Sequence, residues 1–319
     1  MDLNRLNKEF DTEEKCRNYL EKLRWNGKIT CLHCKSPRVR FENNNHRYHC
    51  QNCNKKFSVK NGTIFENTRY PLVNWFKVIT LILNAKNGIS AMQIKRNMNC
   101  SYKTAWYIGM RIRCAMIDKS IELQNIVEID ESYVGQKPRK KGVMEDPARD
   151  VSKITNKRGR GTNKTPIVGI VERNGLVVLQ VAYRLNSSYL MNLLKENVDL
   201  DNSIVISDSY KGYSKLGDIV EHLTVNHSKD GHKSKGIVHT NTIEGFWAII
   251  KNSIRGNYIS LSKKYLPFYL VQAQYIYNRR KANYDIFEEF MKQSVQVDKS
   301  DFVNLYKPVK DVRGLVYDK

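Results

Sequence analysis

The stretch NIVEIDESYVG, residues 125–135, decides the fold, and SIVISDSYKGY, residues 203–213, is its echo. In the first, Ile126, Val127 and Ile129 read as a buried β-strand that ends on Asp130. In the second, Ile204, Val205 and Ile206 lead straight into Asp208. Side chains alternate across a strand, so Val127 and Ile129 share one face and Glu128 and Asp130 the other, while Ile204, Ile206 and Asp208 fall together. Two such strands side by side in one sheet would bring both aspartates to one edge. Carboxylates that close repel one another, and a divalent cation relieves the repulsion. Mg²⁺ (or Mn²⁺) is the expected ion, because it takes hard oxygen ligands and keeps waters that a phosphate can replace.

Around this pair the chain alternates strand and helix signals. TPIVGIVE (165–172) and LVVLQVAY (176–183) flank Asn174-Gly175, a good hairpin turn. A helix around 188–197, the 203–208 strand, IVEHLTV (219–225), a helix from Asn241 and another over 266–280 follow. Three strands, a helix, two strands and a helix predict a ribonuclease-H-like mixed α/β domain over 123–285.

HTNTIEGFWAIIKNSIRG (239–256) supplies a third carboxylate, Glu244. Helical spacing puts Asn241, Glu244 and Lys251 on one side and turns Ile243, Phe246 and Ile250 inward. Asn241 as N-cap with Glu244 at the third helical position is also an ordinary capping arrangement, and capping does not exclude catalysis. Three carboxylates suffice for two cations about 4 Å apart astride a scissile phosphate, with Lys251 on a neighbouring phosphate.

The amino-terminal region reads differently. CLHC (31–34) and CQNC (50–53) repeat Cys-x2-Cys, which predicts one structural Zn²⁺ held by Cys31, Cys34, Cys50 and Cys53, so that 1–66 reads as an N-terminal helix, Phe10 to Trp25, and a zinc ribbon. Seven cysteines, an odd number, suit a reducing compartment better than a disulfide framework. From Pro71 the period becomes helical. A long helix is followed by a short one capped by Ser90, a turn at Asn99-Cys100-Ser101, and a longer helix from Tyr102. This predicts a helix-turn-helix over 67–122, with Lys103, Arg111 and Arg113 as its basic, DNA-facing side. The remainder, 286–319, reads as a tail.

The chain has 319 residues and a formal charge of +22, from 54 Lys and Arg against 32 Asp and Glu. Such an excess points to a polyanionic partner, nucleic acid above all. The basic segment 136–165 holds ten Lys or Arg against three Asp or Glu, and Arg139, Lys140, Lys141, Arg158 and Arg160 are its candidate DNA contacts. A solvated loop would have the same composition. No 18-residue apolar run exists and the start is charged, which argues against a membrane span or signal peptide.

Several motifs in combination resemble the insertion-sequence DDE transposases of the ISXO-like group, whose eukaryotic relatives are the Merlin elements. They are RWNGKITCLHC, CQNC followed by FSVKNGTIFENT, GISAMQIKRNMNCSYKTAW, EIDESYVG, SDSYKGY, HTNTIEGFWAIIK and YNRRK. The resemblance implies a DDE triad of Asp130, Asp208 and Glu244, flanked by the family's Asn and Lys at Asn241 and Lys251. Either Asn241 or Glu244 then serves as the third ligand, and Glu131 is a weaker alternative on the opposite strand face. It also implies a two-metal enzyme that cuts double-stranded DNA at terminal inverted repeats and joins 3′-hydroxyls to target DNA. Such an enzyme would act as a dimer or larger homo-oligomer in the cytoplasm of a bacterium, on the nucleoid. The competing expectation is a non-catalytic DNA-binding regulator or domesticated transposase. A tyrosine or serine recombinase is disfavoured, since no His/Arg constellation surrounds a tyrosine.

Overall fold

The computed structural model describes residues 1–43, 46–118, 120–135, 162, 164–182, 185–225 and 238–296. Arg139, Lys140, Lys141, Arg158 and Arg160 lie outside the described residues. Among the described residues the chain forms two compact units, one of Met1–Asp118 with residues 271–296, the other Lys119–Leu270.

The first unit opens with α1 (Leu3–Glu9) and α2 (Glu13–Trp25), the latter capped by the Thr12 side chain. A small antiparallel sheet follows, of β1 (Val39–Glu42), β2 (Arg47–Cys50) and β3 (Lys56–Phe57). Then come α3 (Leu72–Leu83), α4 (Ala91–Met98) and α5 (Tyr102–Ala115). Ser90 and Ser101 cap α4 and α5 through their side chains, and Asn99 ends α4 in the left-handed conformation at φ +46°. The residue types at that turn are the ones its geometry needs.

Two expectations for this unit are corrected. Arg111 and Arg113 do not face outward. Both are buried, because Arg111 donates to the carbonyls of Ile64 (2.7 Å) and Glu66 (2.6 Å), and Arg113 donates to Gln272 Oε1 (2.7 Å). Of the three residues expected on the basic side, only Lys103 is exposed. Nor is the segment after 285 merely a tail. Ile286–Ser294 is a helix whose Phe287, Phe290 and Met291 are buried, with the Phe287 ring 5.7 Å from that of Phe76 and 6.1 Å from that of Phe10.

The second unit is built on a five-stranded sheet. Its strands are β4 (Leu123–Val134), β5 (Thr165–Glu172), β6 (Val177–Val181), β7 (Val198–Asp208) and β8 (Glu221–Val225). Their spatial order is β6-β5-β4-β7-β8. β4, β5 and β6 pair antiparallel, whereas β7 runs parallel to both β4 and β8. Helix α6 (Ser187–Asn197) covers one face, where Leu190, Leu193 and Leu194 join Val127, Ile129, Val168, Ile170 and Val205 in the core. Helix α7 (Asn241–Ser253) covers the other and runs into a π-turn, Ile254–Tyr258. A further helix, Leu266–Asn278, contains the boundary between the units.

Candidate functional site

The parallel pairing of β4 with β7 places the two aspartates. Val127 lies opposite Val205 and Glu128 opposite Ile206. Two residues further along the same register, Asp130 and Asp208 fall level with one another and on the same face; β7 ends at Asp208, but β4, expected to end on Asp130, runs on to Val134 because β5 continues to pair with it. The Ser-Tyr after Asp208 has a local reason, since the Tyr210 N–H donates to Asp208 Oδ1 at 3.0 Å and turns the chain away. Tyr213, fully buried, donates its hydroxyl to Glu131 Oε2 at 2.7 Å on the opposite face from Asp130.

Asp130 is held by α7. The Trp247 indole Nε1–H donates to Asp130 Oδ2 at 2.9 Å. Its neighbour on β5 is Gly169, where a Cβ would stand 2.8 Å from the Trp247 ring and 2.9 Å from Ile243. The missing side chain is what lets the indole lie against the sheet and reach the carboxylate. Burial pushes the Asp130 carboxyl up to about 7, and the charges of Glu131 and then Asp208 add to this against the Trp247 hydrogen bond. A carboxylate so short of positive charge is one that a cation would complete.

Glu128, two residues back on the same face, was not anticipated as a site residue. Its side chain is fully buried and accepts from Arg173 Nε (2.7 Å) and from the Ile243 backbone N–H (2.9 Å) in the first turn of α7. Arg173 also donates to the His239 carbonyl at 2.8 Å and lies 3.0 Å from its Nδ1. A strand carboxylate thus meets the positive end of the helix and a guanidinium together.

The spacing repeats. Four helical residues rise about 6 Å and two strand residues about 6.6 Å, so Ile243 meets Glu128 and Trp247 meets Asp130 in step.

The capping expectation for α7 is corrected accordingly. Thr240 occupies the N-cap, Asn241 is the first helical residue, and no side chain of the cap residue bonds the helix backbone. Glu128 satisfies the Ile243 amide instead. Glu244 is exposed on the helix flank, and its Oε1 accepts the Thr240 hydroxyl at 3.1 Å. Asp130 and Asp208 are therefore brought level. Glu244 is on the adjacent helix, and among the described residues the one group of three or more side chains gathered closely enough to hold a metal ion lies elsewhere. Lys251 is exposed and lines a cavity beyond Asp130.

That one ligand set is Cys31, Cys34, Cys50 and Cys53. The Sγ atoms of Cys31 and Cys53 are 3.6 Å apart and those of Cys34 and Cys50 3.5 Å. These are close to the edges of a sulfur tetrahedron around Zn²⁺, about 3.8 Å for bonds of about 2.3 Å. Cys34 is drawn below an ordinary thiol value, first by the Ser36 backbone N–H. For Cys31 burial acts upward, but the N–H groups of Cys34 and His33 and the neighbouring thiols outweigh it. Cys53 goes the other way, up to about 12: the Lys55 backbone N–H acts downward, but burial and the neighbouring thiols outweigh it. Four thiols this close compete for protons, and a bound cation would relieve that competition.

Two families match in sequence. The ISXO2-like transposase domain matches residues 122–278, and the transposase zinc-ribbon domain matches residues 11–56. An uncharacterized protein in transposable element ISH50 of Halobacterium salinarum is 28% identical over 247 residues, covering 74% of this chain and 81% of that protein. Among solved structures, a pre-cleavage Mos1 transpososome is 14% identical, with a TM-score of 0.26, 73% of this chain covered and 80% of the other. The mariner Mos1 paired-end complex with Mg is 13% identical, with a TM-score of 0.26 and 70% and 77% covered. With its sheet domain and its zinc ribbon both matched, the chain belongs to the ISXO2-like insertion-sequence transposases.

Proposed function

We propose that this transposase cuts DNA at the ends of its insertion sequence and joins the freed 3′-hydroxyls to target DNA, using divalent cations held by Asp130, Asp208 and Glu244. The observation that carries the reading is the pair of aspartates on adjacent parallel strands, one within β4 and one at the end of β7, beneath a helix that bears a third carboxylate. The strand order, three antiparallel strands followed by two parallel ones, supports a ribonuclease-H-like domain. Two Mg²⁺ ions, when bound, would activate the attacking water or 3′-hydroxyl and stabilise the departing oxygen.

The chain's own residues do the rest. Trp247 fixes the rotamer of Asp130, and the Tyr210 amide fixes that of Asp208. Glu244 exchanges the Thr240 hydroxyl for a cation, with Asn241 one turn earlier as the alternative ligand. Lys251 takes a phosphate beside the reacting one. The zinc ribbon and the α4–α5 helix-turn-helix hold the terminal repeats, with Lys103 at the start of α5 on the phosphate backbone. Arg139, Lys140, Lys141, Arg158 and Arg160 supply further phosphate contacts. Pairing two DNA ends calls for at least a dimer on DNA, in a bacterial cytoplasm. No helix among the described residues is long and apolar enough to cross a membrane.

The non-catalytic reading draws on Glu244, whose carboxylate accepts the Thr240 hydroxyl. Purified protein, labelled element ends and Mg²⁺ decide between the two. Nicked and joined products that vanish in Asp130→Asn and Asp208→Asn are expected. Normal end binding with no products under any divalent metal would establish the regulator instead.

A further inference from the structure

Past Asp130, β4 and α7 open onto a cavity of about 560 Å³. The strand–helix spacing described above leads into it, since Ser132 follows Asp130 by two and Lys251 follows Trp247 by four, and both line the wall. Lys164, Lys251 and Arg255 make it positive. The carboxylate on the wall, Glu131, accepts the Tyr213 hydroxyl at 2.7 Å. Ile254, Ile259 and Leu261 make the remaining wall apolar. Cations beside a small apolar wall suit a ligand with an anionic part and a flat apolar part. The volume suits one or two such units of a DNA strand and is too small for a duplex.

Ile259 is the anomaly at the rim. It is β-branched yet sits at φ +61°, ψ −53°, a conformation that such residues avoid. Its N–H donates to the Ile254 carbonyl at 2.6 Å, which closes the π-turn and holds it there. It is also 76% exposed, so burial does not account for the strain. Strain of this kind collects where a ligand is clamped.

We propose that the cavity receives one unpaired nucleotide of the DNA beside the cleaved bond, and that Ile259 is the apolar wedge that takes its place in the base stack. The cations would hold the phosphates of the extruded nucleotide, while Ile254 and Leu261 face the base. This rests on the reading of Asp130 and Asp208 as the cleavage site.

The test uses the full chain and end duplexes carrying 2-aminopurine at each of three positions on either side of the cleaved bond. At one position wild type should raise the fluorescence several-fold, as an unstacked base does, and Ile259→Gly should not. Ile259→Gly relieves the backbone and touches no core, so its Tm should be unchanged or higher. Its cleavage of paired ends should fall roughly tenfold and return to near wild type on ends already mismatched at that position. Arg255→Ala should weaken end binding without such rescue. Wild-type protein that cuts ends with no fluorescence rise at any position overturns the proposal, as does an Ile259→Gly defect that mismatches leave untouched. If wild type cut no end at all, the catalytic reading would fail, while the fluorescence, which needs only binding, would still decide the cavity.

Discussion

Asp130 concentrates the chemistry of the site in one carboxyl group. Its folded pKa is raised from 3.8 to about 7. Between about pH 4 and pH 7 the folded chain therefore holds a proton that the unfolded chain has released, and stability falls as pH rises through that window. Asp130→Asn removes this liability. The metal-free variant should melt roughly 2–6 °C above wild type at pH 8 and level with it at pH 4. The same change should lower cleavage and joining about a hundredfold or more, by analogy with other preorganised catalytic groups. An equal Tm at both pH values, measured by calorimetry in chelator, would show that the carboxyl is not burdened in this way. Gly169→Ala tests the neighbour. A Cβ within 3 Å of Trp247 and Ile243 must displace the helix or the indole. Overpacking of this kind typically costs about 1–3 kcal/mol, and activity should fall further than stability because Asp130 loses its donor.

Helix α7 depends on a cap brought from another element. Glu128 is 115 residues from the Ile243 amide it accepts, and its second partner, Arg173, comes from the turn after β5. Removing one partner from a buried charged pair commonly costs about 3–5 kcal/mol. Glu128→Ala should accordingly unfold much of the sheet unit. Glu128→Gln keeps an acceptor and loses the charge, so the fold should survive with a looser first helical turn. Its expected signature is a shift in metal requirement. The Mg²⁺ concentration for half-maximal cleavage should rise about tenfold, because Glu244 rides on that turn, while end-DNA affinity stays unchanged. A Glu128→Gln protein with wild-type metal dependence would show that the helix is positioned by its apolar face alone.

Each unit of the whole molecule has its own core, and under the proposed function the two carry different tasks. The zinc ligands belong to the first unit and the aspartates to the second. Replacing Cys31 and Cys50 with Ser should remove zinc and lower end-DNA affinity at least tenfold, since ribbons of this kind fold with their metal. Amide exchange over β4, β5 and β7 should remain slow in that variant, because their contacts lie within the second unit. Unaltered DNA binding after verified zinc loss would separate the ribbon from recognition. Uniform loosening of both units would show that they do not fold separately.

The sequence by itself determined whatever rests on short spacing. Cys-x2-Cys repeats, the alternation that puts an aspartate on one face of each of two strands, and the cap at Ser90 are all local, because ligand bite, strand pleat and capping bonds span at most a few residues; that β4 runs past Asp130 to Val134 was decided by its pairing with β5. Only the tertiary structure decided what depends on partners distant in the chain. Asn241 and Glu244 have the spacing of a capping box, yet a carboxylate from β4 outcompetes it at the Ile243 amide. Arg111 and Arg113 lie on a helix with a basic character that no wheel distinguishes from a DNA-facing side, until the carbonyls of Ile64 and Glu66 and the Gln272 side chain claim them. The buried spacing of Phe287, Phe290 and Met291 was readable but has no meaning without Phe10 and Phe76 to pack on. Gly169 reads as a weak spot in a strand, and becomes the opening for Trp247 only when α7 lies across it. Hydrogen bonds and close packing act over a few ångströms, and which residues come that near is set by how strands and helices are laid against one another.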